Sequence, residues 1–255
     1  MLDRQALQIT LPNLLRPHLA RNSRRFQYGI VDFSPSHNGL GVLVDIQPFT
    51  GKVVEYSDNA MIVKTGRQQF KIIERSYLTL EPPVGSQVKV TPYTRRHFNG
   101  QRIDEPTVKV ETLPNGTTYQ TKTVRLGGDT TYLPVQAVNC PALKALIEQL
   151  QLLPAPDGVR RIVHLLVDAG AYDFSLVDPL PADIFKTPPH IAFTVDNNKY
   201  QGRVAIEYER GSDTYTLKLD NQEDITDIYF DELGSQLEKA IDDGVWQKVY
   251  VEVLH

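Results

Sequence analysis

The sequence predicts an α+β protein in which a small N-terminal β-barrel, SH3-like or OB-like, precedes an antiparallel sheet with helices on one face. Two observations support this prediction. Apolar residues recur at strand spacing in much of the first half and at helical spacing after residue 136. Residues 1–135 carry 17 Lys and Arg against 11 Asp and Glu, whereas residues 136–255 carry 10 against 20. We therefore expect a basic barrel domain over 1–136 and an acidic α+β domain over 137–255.

The first half predicts a short helical segment followed by strands. One helix is expected within residues 1–25, where Pro17 would interrupt it. Beyond it, turn residues such as Asn59 and Gly66 separate short apolar segments, and Asn115-Gly116 marks a hairpin. Turns every ten residues or so are typical of a small barrel. The expected strands are GKVVEY, AMIVK, QQFKIIE, QVKVTPY, TVKVET, TTYQTKTVRL and TYLPV.

The second half predicts helices packed on a sheet. Leu143, Leu146, Ile147 and Leu150 follow helical spacing. Asp157 is expected to cap a second helix, GVRRIVHLLVDAG. A third helix, DELGSQLEKAIDDG, precedes a last strand, VYVEV. The strands IAFTV, GRVAIEYE and TYTLKL alternate apolar and polar residues, which indicates an antiparallel sheet with one buried face.

A basic segment at Thr91–Asp104, TPYTRRHFNGQRID, is the strongest binding candidate. Small barrels bind single strands by neutralising phosphates with basic residues and stacking bases on aromatic residues. In an alternative that stays open, the aromatic residues plug the barrel end and the arginines pair with Asp104 and Glu105. The candidate nucleic-acid-binding residues are Lys64, Arg67, Lys71, Tyr93, Arg95, Arg96, Phe98 and Arg102.

The sequence carries no motif for catalysis, metal binding or cofactor binding. The histidines are widely spaced, and neither HExxH nor CxxC occurs. Gly39-x-Gly41 and Gly127-Gly128 lack the spacing of phosphate-binding loops. Cys140, the only cysteine, cannot form an intramolecular disulfide. We therefore expect no catalytic residue, no metal and no cofactor.

A cytoplasmic location without membrane contact is expected. Hydrophobic residues make up 41% and charged residues 23% of the chain, which is typical of globular proteins. The first residues do not combine a basic region with a continuous apolar one, and no apolar run of about 18 residues occurs.

One stretch of the first half is similar to a known family. TGKVVEYSDNAMIVKTGRQQFKIIERSYL (Thr50–Leu78), followed by PVGSQVKV (Pro83–Val90), resembles the small β-rich module called KfrB-like. The likeness consists of a Gly-Lys start, a Gly-Arg turn, an acidic-Arg-Ser-x-Leu run and a later glycine before alternating valines. Ile73 stands where the module commonly has histidine. The resemblance implies an accessory protein of plasmids or integrative elements, and it implies no catalytic residues.

These observations predict a non-enzymatic accessory protein of a mobile genetic element that binds nucleic acid through the basic face of its barrel. Two alternatives remain open at this point. The first is a protein–protein adaptor that does not bind nucleic acid. The second is an enzyme whose site is assembled from distant residues.

Overall fold

The computed structural model of the protein describes residues 4–21, 23, 25–220 and 222–254. The class is α+β, as predicted, and the described residues form more strand than helix. The helices are α1 (Arg4–Leu15), α2 (Pro141–Leu152), α3 (Ile162–Asp168) and α4 (Leu233–Ile241). The strands are β1 (Gln27–Val31), β2 (Phe49–Tyr56), β3 (Ala60–Gly66), β4 (Gln69–Glu74), β5 (Gln87–Thr91), β6 (Thr107–Thr112), β7 (Thr118–Thr123), β8 (Tyr172–Val177), β9 (His190–Asp196), β10 (Gln201–Glu209), β11 (Thr214–Leu219), β12 (Ile225–Ile228) and β13 (Tyr250–Val253).

The chain divides into two compact units, each formed from separate segments of the sequence. Unit 1 comprises residues 1–36, 45–94 and 247–255, and unit 2 comprises residues 37–44 and 95–246. This division differs from the boundary expected at residue 136. The physical reason is strand pairing: β13, at the end of the acidic half, pairs antiparallel with β5 of unit 1. Sequence patterns detect a strand but do not identify its partner.

Unit 1 is built around a six-stranded sheet in the order β1-β4-β3-β2-β5-β13. β1 runs parallel to β4, and the other neighbours are antiparallel. Both faces of the sheet carry buried residues, which explains the unbroken apolar run of β3. One core contains Leu7, Leu11, Leu15, Val54, Ala60, Ile62, Phe70 and Ile72. The other contains Val31, Val53, Met61, Val63, Ile73, Val88, Val90, Val249 and Val251.

A charged contact attaches α1 to this sheet. The carboxylate of Asp32, which is buried just beyond β1, accepts hydrogen bonds from Arg4 at 2.9–3.1 Å. α1 ends at Leu15, and Pro17 lies in the short 3-10 turn that follows, consistent with the interruption expected there.

Unit 2 contains a five-stranded antiparallel sheet in the order β12-β11-β10-β9-β8. One face of the sheet forms a single core with α2, α3 and α4. The predicted alternation is confirmed in β10 and β11, where Val204 pairs with Leu219 and Ile206 with Leu217 on the buried face. β6 and β7 form a separate two-stranded ribbon in which every residue is exposed.

Arg160 lies at the centre of unit 2 with a side chain that has no exposed surface. Its guanidinium donates to Asp157 at 2.9 Å, to Asp168 at 3.1 Å and to Asp242 at 2.5 Å, and lies 3.9 Å from the ring centroid of Trp246. Burial acts to lower the pKa of Arg160, but the charges of Asp168 and Asp242 outweigh burial and raise it. The buried cation is therefore compensated by carboxylates from distant parts of the sequence.

Several predicted elements differ in the structure. Asp157 does not cap α3, which begins at Ile162; its carboxylate instead accepts from the N–H groups of Val159 and Arg160 in the preceding turn. The segment TYLPV is not a strand. β1, β8 and β12 were not predicted, because short strands with mixed polarity lack a strong period of two.

The placement of β13 in unit 1 predicts the effect of Val251→Ala. This change should lower the free energy of unfolding by about 2 kcal/mol, since it removes buried methyl groups and leaves a cavity. Hydrogen exchange should accelerate at the β5 amides. Val253→Ala, on the same strand but exposed, is the matched control. Faster exchange in unit 2 but not in β5 would contradict the division described here.

The Arg160 cluster predicts a large effect for Arg160→Met. The variant keeps most of the side-chain volume but leaves four carboxylates without their cation, those of Asp157, Asp168, Asp242 and Glu238, the last 3.8 Å from the guanidinium. The free energy of unfolding should therefore fall by about 3–5 kcal/mol. Arg161→Met is the control, because Arg161 has no ion pair among the described residues. Urea denaturation measures both. Equal stability of the two variants would show that the cluster does not stabilise unit 2.

Candidate nucleic-acid interface

The predicted binding residues divide between the two units. Lys64, Arg67, Lys71 and Tyr93 lie in unit 1. Arg67 is exposed in the turn between β3 and β4, and Tyr93 is half-buried. The ammonium of Lys64 donates to the backbone carbonyl of His18 at 2.6 Å, and that of Lys71 lies 5.7 Å from the ring centroid of Phe49. Of these four residues, Arg67 is the one most openly displayed.

The other four predicted residues, Arg95, Arg96, Phe98 and Arg102, lie in unit 2. Arg96 is exposed and donates to Gly100 O at 2.7 Å in the predicted Asn-Gly turn. Arg102 forms two hydrogen bonds with Asp104, at 2.7 and 2.8 Å, as the alternative interpretation expected.

Two of these residues, Arg95 and Phe98, do not lie on the exposed binding surface that was expected for them. Arg95 is only 6% exposed, and its guanidinium donates to the carbonyls of Leu43 and Gly127. Phe98 packs against the core of unit 2, with its ring edge-to-face with Phe174 at 5.3 Å. Neither side chain is displayed as a phosphate or base contact requires.

A basic depression lies at the β1 edge of the unit 1 sheet. Parallel pairing places Gln27 of β1 beside Gln69 of β4, so Arg25 and Arg67, each two residues earlier, are brought to the same edge. The depression has a volume of about 890 Å³ and is lined by Arg25, Phe26, Gln27, Arg67, Gln68 and Gln69. Among the residues that the structure describes, none that lines it has a carboxylate.

A second depression adjoins the first, since Phe26 lines both. It has a volume of about 770 Å³, and its charged lining residues are Arg16 and Arg21. A hydrogen bond links the two depressions: the Ser23 hydroxyl, in the second, accepts from the side-chain amide of Gln68, in the first, at 2.7 Å. We call the residues that line the two depressions the basic edge.

The basic edge displays four exposed arginines, Arg16, Arg21, Arg25 and Arg67. Among the residues that the structure describes, none of the four has a carboxylate within 4.0 Å. Tyr28 on β1 is 38% exposed, and its ring lies 6.1 Å from that of Phe26. The surface therefore combines guanidinium groups that can bind anions with an aromatic face.

Sequence reasoning identifies one member of the basic edge, Arg67, and misses the other three arginines. Periodicity assigns the segment RNSRRF, Arg21–Phe26, only to the end of a helical region. Its arginines beside an aromatic residue are the signal that could have identified it.

No family model matches this chain, nor does any curated protein or solved structure. Within the described residues, the helices are too short or too polar to span a membrane. No three His, Cys, Asp or Glu side chains in the same part of the chain are grouped as metal ligands would be.

A buried histidine lies close to the predicted arginine segment in unit 2. His164 is 3% exposed, its Nδ1 accepts from the N–H of Arg161 at 3.1 Å, and no described residue provides a partner for Nε2. Burial, followed by the charges of Arg95, Arg161 and His97, lowers the pKa of His164 to about 3. His164 is therefore neutral at physiological pH and acts as a structural acceptor.

This burial predicts an acid-sensitive stability. The unfolded chain protonates His164 near pH ~6.5, whereas the folded chain does so only near pH 3. The contribution of His164 is complete above pH ~6.5 and falls by up to about 1.4 kcal/mol per pH unit below it. His164→Asn should reduce this slope in urea denaturation between about pH 7 and pH 4.

The control for this experiment is His37→Asn, at an exposed histidine of the same unit. It should leave the pH dependence of the unfolding free energy unchanged. If His164→Asn and wild-type protein give parallel curves, His164 is not the group that couples folding to protonation.

Proposed function

We propose that the protein binds single-stranded nucleic acid through the basic edge of unit 1. The observation that supports this proposal is the set of four exposed arginines around two adjoining depressions, whose described lining residues include no carboxylate. Phosphate groups supply the complementary charge, and guanidinium groups bind them with paired donors.

The charge of the two units favours this location. Unit 1 carries 12 Lys and Arg against 8 Asp and Glu, a net charge of +4, whereas unit 2 carries 15 against 23, a net charge of −8. A polyanion is attracted to the first unit and repelled by the second. Among the described residues that line it, the basic edge itself contains no acidic residue.

A single strand suits the aromatic part of this surface better than a duplex. Bases in a single strand are free to stack on an exposed ring, and Tyr28 offers one next to Phe26, which lines both depressions. Phe26 is half-buried, with its ring 6.1 Å from that of Tyr28 and edge-to-face with that of Phe70 in the core.

The wider role is proposed from the resemblance over Thr50–Val90: an accessory protein of a mobile genetic element, with a binding role and no assigned reaction. Unit 1 is proposed as a small barrel. In support, β2, β3 and β4 form an antiparallel meander, and the β2–β3 and β3–β4 pairings contain register shifts at Glu55 and Gly66 that curve a sheet.

Arg25→Gln with Arg67→Gln tests the basic edge. Fluorescence anisotropy of a labelled oligonucleotide of roughly 16 nucleotides across a salt series should show weaker binding. The slope of log K against log salt should become shallower by about 0.7 for each phosphate group that the variant no longer neutralises. Arg96→Gln, an exposed arginine of unit 2, makes the same type of change and should bind as the wild type does.

Two results would overturn this proposal. One is wild-type protein that does not bind the oligonucleotide at low salt. The other is an Arg25/Arg67 double variant that binds with an unchanged salt slope. Weaker binding by Arg96→Gln instead would assign the interaction to the turn at Asn99-Gly100.

Base stacking is tested separately by Tyr28→Ala. The variant should weaken single-strand binding by about 1–3 kcal/mol with little change in salt slope, because it removes a ring and no charge. A duplex of the same sequence is the comparison ligand. An equal effect on both ligands, or no effect on either, would contradict stacking at Tyr28.

A further inference from the structure

The exposed ribbon of β6 and β7 presents apolar side chains that nothing in its own unit covers. All of its strand residues are exposed, and among the described strands these two pair only with each other. Val108 and Val110 are 50% and 62% exposed. An isolated two-stranded hairpin is marginally stable in water, so a further strand or surface against the ribbon would stabilise it.

The ribbon is basic although unit 2 is acidic. Residues 107–126 carry Lys109, Lys122 and Arg125 against a single acid, Glu111, which accepts a hydrogen bond from the Tyr119 hydroxyl. Arg125 pairs with Asp129. Lys122 is paired with Val108 and Lys109 with Thr121, and paired residues share a face of the ribbon. Because Val108 and Lys109 are consecutive and therefore point to opposite faces, the two lysines lie on opposite faces as well.

The opposite charge lies at one edge of the unit 2 sheet. β12 is the outer strand and pairs with β11 on one side. The segment Glu223–Glu232, which contains β12, has five acidic residues and no Lys or Arg. Tyr229 and Phe230, directly after β12, are 58% and 55% exposed. This segment, which we call the acidic edge, therefore combines an outer strand, negative charge and aromatic surface.

Charge at a sheet edge usually prevents strand addition. Here the charge has one sign, so it disfavours an acidic strand and attracts a basic one. The ribbon supplies what this edge lacks: a strand with lysines and exposed valines. Its full exposure in the single chain excludes the acidic edge of the same copy as its present partner.

We propose that the ribbon of one copy docks along the acidic edge of a second copy of the protein. The added strand would hydrogen-bond to β12, with Lys109 and Lys122 near the acidic residues and the valines near Tyr229 and Phe230. Because each copy carries both elements, two copies supply both contacts to each other, which gives a closed twofold dimer.

Sedimentation velocity of the full chain over a concentration series tests this inference. Wild-type protein should form a dimer that weakens as salt is raised, since the contact includes exposed charges. Lys109→Glu with Lys122→Glu reverses the ribbon, and Glu223→Lys with Asp224→Lys reverses the edge. Each double variant alone should dimerise at least about 10-fold more weakly, because like charges then face each other.

An equimolar mixture of the two double variants provides the decisive measurement. In a heterodimer, the acidic ribbon of one variant meets the reversed, positively charged β12 edge of the other, and the basic ribbon of the second meets the unaltered acidic edge of the first. Both contacts then join opposite charges, so the mixture should form heterodimers at concentrations where each variant alone is monomeric. Lys144→Glu, an exposed change on α2, is the control and should dimerise as the wild type does.

Three results would overturn the proposal. Wild-type protein that remains a monomer across the concentration series excludes it. So does a dimer that both charge reversals leave unchanged. A mixture of folded variants, judged by circular dichroism, that fails to form heterodimers excludes the pairing of ribbon with edge.

Discussion

The buried guanidinium of Arg160 is the constraint on which unit 2 depends. Its carboxylate partners lie in the turn before α3, at the end of α3, within α4 and directly after α4, and the ring of Trp246 lies against the cation. A cation without exposed surface is stable only if every partner is in place. The positions of α3 and α4 are therefore linked to each other by charge as well as by apolar packing, and the sheet that carries the acidic edge rests on the same core.

In unit 1, both faces of the sheet are buried, so its basic surface lies outside those faces. The apolar residues of β3 supply both cores, so few positions within the central strands are left for functional side chains. The arginines lie instead where strands begin: Arg25 before β1 and Arg67 before β4. Parallel pairing of these two strands then brings together residues 42 positions apart in sequence. A basic surface at the sheet edge follows from the topology.

Periodicity predicted the elements that bury one face over several turns or alternations, such as α2, α4, β10 and β11. It failed where pairing decides the structure. The pattern of VYVEV indicates a strand but does not identify its partner β5, which lies more than 150 residues earlier, and the two compact units therefore differ from a division at residue 136. At the candidate interface, sequence identified charge but not exposure. Arg95 and Phe98 have side chains of suitable chemistry, but Arg95 donates to backbone carbonyls and Phe98 packs against the core. Arg67, which lies in a turn, is exposed.

The two proposed interactions use different residues and opposite charges. In the proposed function, nucleic acid binds the basic edge of unit 1, and the acidic edge of unit 2 carries charge of the same sign as phosphate. The basic ribbon belongs to unit 2, so a second copy bound through it uses none of the arginines of the basic edge. If the acidic edge instead received the basic edge of another copy, nucleic acid would compete with self-association and dissociate the dimer. Docking through the ribbon uses no residue of the basic edge, so the proposed dimer carries two such edges, and one nucleic-acid chain that engages both gains avidity without any new protein contact.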